Sequence, residues 1–352
     1  MKKLLIVSLL IALVAGFAFA NGEGESADAA TKWPQKPINI VVAFGAGGNS
    51  DVNARAIAKY LQKELGQPVV ITNVSGSGGT LGANQVKEAA PDGYTILCSQ
   101  LSMNVAKVVG LVDYAAEAFE PACVFSQASD EVLVARADTG WKTFEDMFNA
   151  TLAEPGKYRL TSNAGASTQW IAVALTKAGA KFNIVPSGGS GERLKLLLGG
   201  HVDVIAMNYN AIKDYVDSGE FVILATDSPE RPYNLPDVPT LKEKGVDCEY
   251  YYYNTFFFPK GTDAAIVEKF ANACKNVIEN NAEYAEFLEQ QLQPKVYLGP
   301  ADTVKYYEDE LAHIMQYRLT SRPSNLMRLL PRLIRGSFGL YGHRVLKLHG
   351  ES

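Results

Sequence analysis

Ile38-Asn39-Ile40-Val41-Val42-Ala43-Phe44-Gly45-Ala46-Gly47-Gly48-Asn49-Ser50-Asp51 is the stretch whose reading decides the fold. It opens as a short apolar, β-branched run, the pattern of a strand buried on both faces in a parallel sheet. Four small residues follow, three of them glycine, which let the backbone turn sharply and approach a ligand closely. Asn49, Ser50 and Asp51 are helix N-cap types. Ala54 to Leu65 then reads as an amphipathic helix with Ile57, Ala58, Leu61 and Leu65 on one face. A strand, a glycine turn and a helix N-terminus present free backbone N–H groups and the positive end of a dipole, which makes an anion site by geometry alone. The same pattern also serves as an ordinary βα turn of an open sheet, and this stretch by itself leaves both readings open.

Toward the N-terminus, Met1-Lys2-Lys3 is basic, Leu4 to Ala15 is apolar, and Gly16-Phe17-Ala18-Phe19-Ala20 ends in small residues. That order is a secretory signal peptide cleaved after Ala20. The apolar run is too short for a comfortable membrane span. No cysteine follows it that could take a lipid. Residues 21–32 are expected to be a solvated linker, so the exported protein starts its fold near Trp33.

Downstream, Pro68 to Asn73 reads as a second buried strand, residues 81–90 as a helix ended by Pro91-Asp92-Gly93, and Tyr94 to Ser99 as a third strand. Strand and helix alternate every 25 to 30 residues or so, which predicts an α/β fold with parallel strands. Ligands of such sheets bind at the carboxyl ends of the strands, where the loops 44–51, 73–80 and 99–104 fall. The glycines at 76, 78 and 82 mimic a dinucleotide fingerprint, but no acidic residue ends a following strand to bind a ribose.

The chain has 352 residues, of which 47% are hydrophobic and 20% charged, values of an ordinary globular protein large enough for two domains. Its net charge of −5 hides an asymmetry: residues 318–352 carry +6, leaving −11 on residues 1–317. The acidic body gives no nucleic-acid footprint. Cys98, Cys123, Cys248 and Cys274 share no metal spacing and each sits in an apolar stretch, so buried free thiols are expected. If any pair is oxidised, Cys98 with Cys123 is the first to check.

Five consecutive motifs carry a family resemblance. Pro34-x-Lys36-Pro37-Ile38, Phe44-x-Ala46-Gly47-Gly48-x-x-Asp51, Gly66-Gln67-Pro68-Val69-Val70, Gly76-x-Gly78-Gly79-Thr80-x-Gly82 and Pro91-Asp92-Gly93-Tyr94-Thr95 resemble the tripartite tricarboxylate transporter solute-binding proteins, the Bug family. Leu197-Leu198-Gly199-Gly200-His201-Val202-Asp203 and Leu235-Pro236-Asp237-Val238-Pro239-Thr240-Leu241 extend the likeness, which runs from about Trp33 to about Gln316. The resemblance implies a type II-like, Venus-flytrap periplasmic binding protein with a mostly parallel sheet in each domain and the ligand in the cleft between them. Domain 1 is expected at 33–125 plus 230–317, domain 2 at 126–229, and a basic, poorly ordered tail at 318–352. It further implies a pincer of two strand–helix loops that grips a small carboxylate through backbone amides. One loop maps onto Phe44 to Asp51 and the other onto Tyr158 to Gln169. Helix N-termini facing one cleft could hold an anion in this way without any arginine. Two departures stand near the second loop: Trp170 where the family often has histidine, and Pro186-Ser187-Gly188-Gly189 in place of Pro-Tyr-Lys-Gly.

Further on, Phe182 to Pro186 reads as a strand and Glu192 to Leu198 as a helix stopped by Gly199-Gly200. Val202 to Met207 reads as a strand that delivers Asn208, Tyr209 and Asn210 to the cleft side, where they serve either as ligand contacts or as ordinary caps. Val222 to Thr226 is a strand near the return crossing. Tyr250 to Phe258 looks like an aromatic box but is expected to be a core strand, followed by helices at 263–280, 282–292 and 302–316. No nucleophile elbow and no histidine or cysteine metal spacing occurs, so neither an enzyme, a metal nor a cofactor is expected.

The candidate ligand-binding residues are Phe44, Ala46, Gly47, Gly48, Asn49, Ser50, Asp51, Ser99, Thr161, Ser162, Asn163, Gly165, Ala166, Ser167, Thr168, Gln169, Ser187, Gly188 and Asn208. A side chain at Gly47 or Gly165 is expected to crowd the carboxylate. The expected function is capture of a small carboxylate by a periplasmic monomer that hands it to membrane permease subunits. Docking of the liganded form on a signalling receptor is the alternative.

Overall fold

The computed structural model describes residues 32–128 and 130–320. The expected signal peptide, residues 21–31 of the expected linker and the part of the basic tail beyond Thr320 lie outside them. Among the described residues, no helix is long and apolar enough to cross a membrane.

Two five-stranded sheets organise the chain. The first has the order β2-β1-β3-β10-β4, from β1 (Ile38–Val42), β2 (Val69–Asn73), β3 (Thr95–Ser99), β4 (Phe119–Gln127) and β10 (Tyr253–Pro259). β1 pairs parallel with β2 and β3, while β10 runs antiparallel between β3 and β4. The second sheet, β7-β6-β8-β5-β9, uses β5 (Glu131–Arg136), β6 (Arg159–Ser162), β7 (Asn183–Pro186), β8 (Val204–Asn208) and β9 (Phe221–Thr226). There β5 is the antiparallel strand, against β8 and β9. Each sheet therefore keeps four of its five strands pointing one way. The strand that breaks the direction is the first one laid down after the chain crosses from the other sheet.

Burial on both faces explains the sequence of β1. Ile38, Ile40 and Val42 pack with Ile57 and Leu61 of α1 (Asn49–Leu65). Val41 faces the opposite way, with Ala83 and Val86 of α2 (Thr80–Lys87). β10 repeats this pattern, with Phe256 and Phe258 on one face and Phe257 on the other, all fully buried. Each such phenylalanine contributes about 1.5–3 kcal/mol by leaving water, and Phe256 also stacks on Phe125 with centroids 4.0 Å apart. The aromatic run is thus a core strand at its Phe end.

α1 begins at Asn49, five residues before its expected start. Gly48 is the N-cap and makes no side-chain cap bond, so Asn49, Ser50 and Asp51 form the first turn instead of preceding it. Gly66, with φ 68°, closes the helix in the left-handed conformation that glycine adopts freely. α3 (Ser102–Val108) follows β3. In the second lobe, α4 (Phe144–Ala153) carries a capping box between Thr143 and Asp146, and α5 (Ser167–Ala178) follows β6. α6 (Ser190–Leu198) starts two residues earlier than expected, with Gly189 as its N-cap, and α7 (Lys213–Asp217) follows β8. α8 (Ala264–Asn280) and α9 (Ala282–Gln290) cover the first sheet through Phe270, Val277, Tyr284 and Leu288. α10 (Pro300–Thr320) continues four residues past its expected end. The chain's larger compact unit ends at Leu311.

The chain passes between the sheets after Gln127 and again between Thr226 and Tyr253. Residues 122–127 belong to β4. The crossings are tied together: the Asp227 N–H donates to the Glu131 carbonyl at 3.3 Å, and the Tyr250 N–H to the Asp227 carbonyl at 3.2 Å. All four cysteines are free and buried. Cys98 and Cys123 cannot pair, because both register with Phe256 from opposite sides of β10, which puts them two strand spacings apart, about 9.5 Å.

Candidate functional site

A cavity of about 290 Å³ opens between the lobes at the carboxyl ends of the strands. The first lobe supplies Phe44, Gly45, Ala46, Gly48, Asn49 and Ser50 from the β1–α1 turn, together with Gln100 and Tyr252. The second supplies Asn163, Ala166 and Ser167 ahead of and into α5, and residues 189–193 with Lys195 from α6. The first turns of three helices therefore line one space. In α1 the N–H groups of Asn49, Ser50 and Asp51 have no helical carbonyl before them; Ser167 and Thr168 in α5 and Ser190 and Gly191 in α6 stand likewise. Each terminus favours a nearby negative charge by about 0.3–1 kcal/mol, more when water is excluded.

One bracing device recurs at all three termini. The third helical residue accepts a hydrogen bond from the backbone N–H four residues earlier. Asp51 Oδ2 accepts from Gly47 at 2.8 Å, Gln169 Oε1 from Gly165 at 2.6 Å, and Glu192 Oε2 from Gly188 at 3.0 Å. Gly47 and Gly165 have φ of 75° and 79°, which explains glycine at both. Asp51 also receives Asn73 Nδ2 at 2.8 Å and Arg55 Nε at 2.9 Å. Burial alone would raise the Asp51 carboxyl, but the bonds from Arg55, Gly47 and Asn73 hold it below the ordinary aspartate range.

The structure thus sorts the candidate residues. Phe44, Ala46, Gly48, Asn49, Ser50, Asn163, Ala166 and Ser167 line the cavity. Gly47, Asp51, Gly165, Gln169 and Gly188 stand behind the lining as braces, joined by Thr168, whose Oγ1 accepts from the Asn163 N–H at 2.9 Å. Ser187 N donates to the Ser162 carbonyl at 3.0 Å within the β6–β7 edge. Ser99, Thr161 and Asn208 are buried in the strand ends and do not line the space. A Cβ on Gly47 meets no atom within 4 Å, and one on Gly165 meets Leu111 of the first lobe at 2.8 Å, so crowding at Gly165 arises between lobes.

The 76–79 loop, expected at the ligand side, makes a lobe-to-lobe contact. A Cβ on Gly78 would meet Gly165 C at 2.7 Å and Gly165 Cα at 2.8 Å, with the Ala164 carbonyl oxygen closer still. No local sequence signal marks such a meeting of loops.

Sequence reasoning missed four residues of consequence. Asn254 on β10 holds the α1 terminus: its Oδ1 accepts from Ser50 Oγ at 2.7 Å, and its Nδ2 donates to Asn49 Oδ1 at 2.9 Å. Tyr252 lines the cavity and its hydroxyl receives Gln100 Nε2 at 2.6 Å. Arg193, on the first turn of α6, is 6% exposed and lines the second lobe's side, so the cleft does contain an arginine. Behind it lies Glu131, 2% exposed, whose Oε2 accepts from the Tyr250 hydroxyl at 2.6 Å and from Ser167 Oγ at 3.2 Å. The polar Gly-Ser-Gly-Glu run that begins α6 looks like a turn, and the tyrosine run looks like core; neither pattern reveals the cavity. Burial, with Asp227 and Glu131 nearby, pushes the Tyr250 hydroxyl well up, so it stays protonated and donates.

This architecture, two α/β lobes with a cavity at their strand ends, is that of the periplasmic binding proteins. The tripartite tricarboxylate transporter family receptor pattern matches residues 53–317, and the chain belongs to this family. It is 31% identical over 309 residues to the protein BugT of Bordetella pertussis, covering 86% of this chain and 94% of BugT. The solved periplasmic binding protein BugD superposes with a TM-score of 0.70 at 25% identity, covering 81% of this chain and 97% of that one. MatC of Rhodopseudomonas palustris, solved with bound malate, superposes with a TM-score of 0.72 at 24% identity, covering 81% and 100%.

Proposed function

We propose that the protein is exported after cleavage at Ala20 and captures a small carboxylate, a di- or tricarboxylate or related organic acid. It delivers this cargo to the membrane permease subunits of a tripartite tricarboxylate transporter. The lobes, 33–125 with 230–317 and 126–229, act as jaws that close on the ligand by bending at the two crossings. The protein works as a periplasmic monomer and performs no chemistry on its cargo. One observation carries the reading: three helix first turns ring a single cavity. Their unpaired N–H groups supply carboxylate hydrogen bonds worth about 1.5–3 kcal/mol each, which lets an acidic protein hold an acid. Membership of a tricarboxylate receptor family supports the same ligand chemistry.

A thermal-shift panel of small carboxylates and nucleotides tests it. A ligand at about 100 times its Kd stabilises by roughly 2.7 kcal/mol, so a shift with carboxylates alone is expected. Shifts only with nucleotides would overturn the proposal.

A further inference from the structure

The cavity wall holds a buried charged group whose hydrogen-bonding capacity, among the described residues, is largely unused. Arg193 lines the space from the first turn of α6, and little of it reaches solvent. A guanidinium carries five N–H donors. Among the described residues, Nε has no partner at all. One Nη reaches Ser190 Oγ at 3.4 Å and Glu131 Oε1 at 3.5 Å, both beyond the range of a good N–H···O bond. A buried cation so loosely held is costly unless something further pairs with it.

Glu131 does not close that gap. Its other oxygen is fixed by Tyr250 at 2.6 Å and Ser167 at 3.2 Å, which anchors the carboxylate to the second crossing and to the α5 terminus. Glu131 holds the arginine in place, yet it lies behind the wall while Arg193 is part of it. Nε is itself sealed from solvent, so it is the Nη donors of this lining residue that are left for whatever fills the space. The nearby Lys195 is exposed at the cavity's edge, where water screens it.

We infer that Arg193 is a specificity-determining residue that pairs with a second anionic group of the ligand. Glu131 serves as its positioning residue. The inference rests on the proposed carboxylate capture and deepens it: one carboxylate sits at the helix termini, and a second makes short, charge-assisted bonds to the guanidinium. The protein therefore selects dicarboxylates over monocarboxylates of the same chain length.

Calorimetric titration of the full protein with succinate, glutarate and adipate against butanoate, pentanoate and hexanoate tests this. Wild type is expected to bind its best dicarboxylate at least about tenfold tighter than the matched monocarboxylate, the difference one charge-assisted pair makes. Arg193→Met should lose about ten- to hundredfold toward the dicarboxylate and less than about threefold toward the monocarboxylate, and Arg193→Lys should recover part of the loss. The double variant Glu131→Gln/Arg193→Met, which removes both buried charges together, should show the same loss of selectivity if the single variant does not fold. Equal wild-type affinity for both classes would overturn the inference and leave carboxylate capture standing. Equal losses toward both classes in the variant would show Arg193 to be structural only. Binding of neither class would overturn the carboxylate reading itself, and the inference with it.

Discussion

Gly78→Ala isolates lobe closure from ligand contact. Gly78 lies outside the cavity lining, but its backbone rests on the Ala164–Gly165 backbone of the opposite lobe. An added Cβ would stand 2.8 Å from Gly165 Cα, about 0.7 Å inside the separation at which two carbons attract. Its neighbours are backbone atoms, which cannot swing aside as a flexible side chain would. Overpacking of this kind costs about 1–3 kcal/mol, and the cost falls only on the conformation in which the lobes touch. Affinity should therefore drop about five- to 150-fold. Alanine at φ 65° also strains the chain by roughly 1–2 kcal/mol. Gly140→Ala supplies the control, because Gly140 has φ 77° and open space around its Cβ. Both variants should lose similar thermal stability, while only Gly78→Ala loses affinity by calorimetry. Affinities within twofold of each other would refute the reasoning that this contact belongs to the closed, binding state.

Other outcomes follow from the braces and the buried acids. Asp51→Asn should cost about 1–3 kcal/mol, because Arg55 and the Gly47 N–H lose a charged acceptor. The native Asp51 contribution is complete above its unfolded pKa near about 3.9 and fades as pH falls through its lower folded value. Melting curves from pH 7 to pH 2 should show that loss in wild type and not in the variant. Asp227 has the opposite sign: burial first, then the nearby Glu131 and Asp130 charges, raises its carboxyl well above the usual range. The folded state then binds a proton that the unfolded state has released, so stability declines as pH rises above about 3.9 toward the folded value. Asp227→Asn should match wild type near pH 4 and melt higher at pH 7; superimposable profiles would contradict this. Thiol titration of the protein unfolded without reductant should find all four cysteines reduced, and a Cys98–Cys123 disulfide would contradict the sheet register.

Much of the fold is legible because its central strands are buried on both faces. β1 and the phenylalanine end of β10 have to be apolar at nearly every position, and the glycine turn after β1 announces the site. The helix starts are less legible. Asn49, Ser50, Asp51 and Asn53 are polar, yet they are helical because Gly48 caps the chain and Asn254, 204 residues beyond Ser50, holds the first turn. The candidate site is half legible for the same reason. A Gly-x-x-x-Asp, Gly-x-x-x-Gln or Gly-x-x-x-Glu spacing marks each terminus, but whether such a glycine touches ligand or braces the turn depends on which way the loop faces. Arg193 and Tyr252 enter the cavity only because α6 and the strap before β10 converge on it, and no local pattern encodes that convergence.

The most direct test of the central claim is a crystal structure of the protein with the best-binding carboxylate from the panel. The expected result is a carboxylate group within hydrogen-bond distance of backbone N–H groups at both the α1 and α5 termini, Asn49 to Asp51 and Ser167 to Thr168. A ligand bound elsewhere, or one in this cavity whose carboxylate touches neither terminus, would contradict the account.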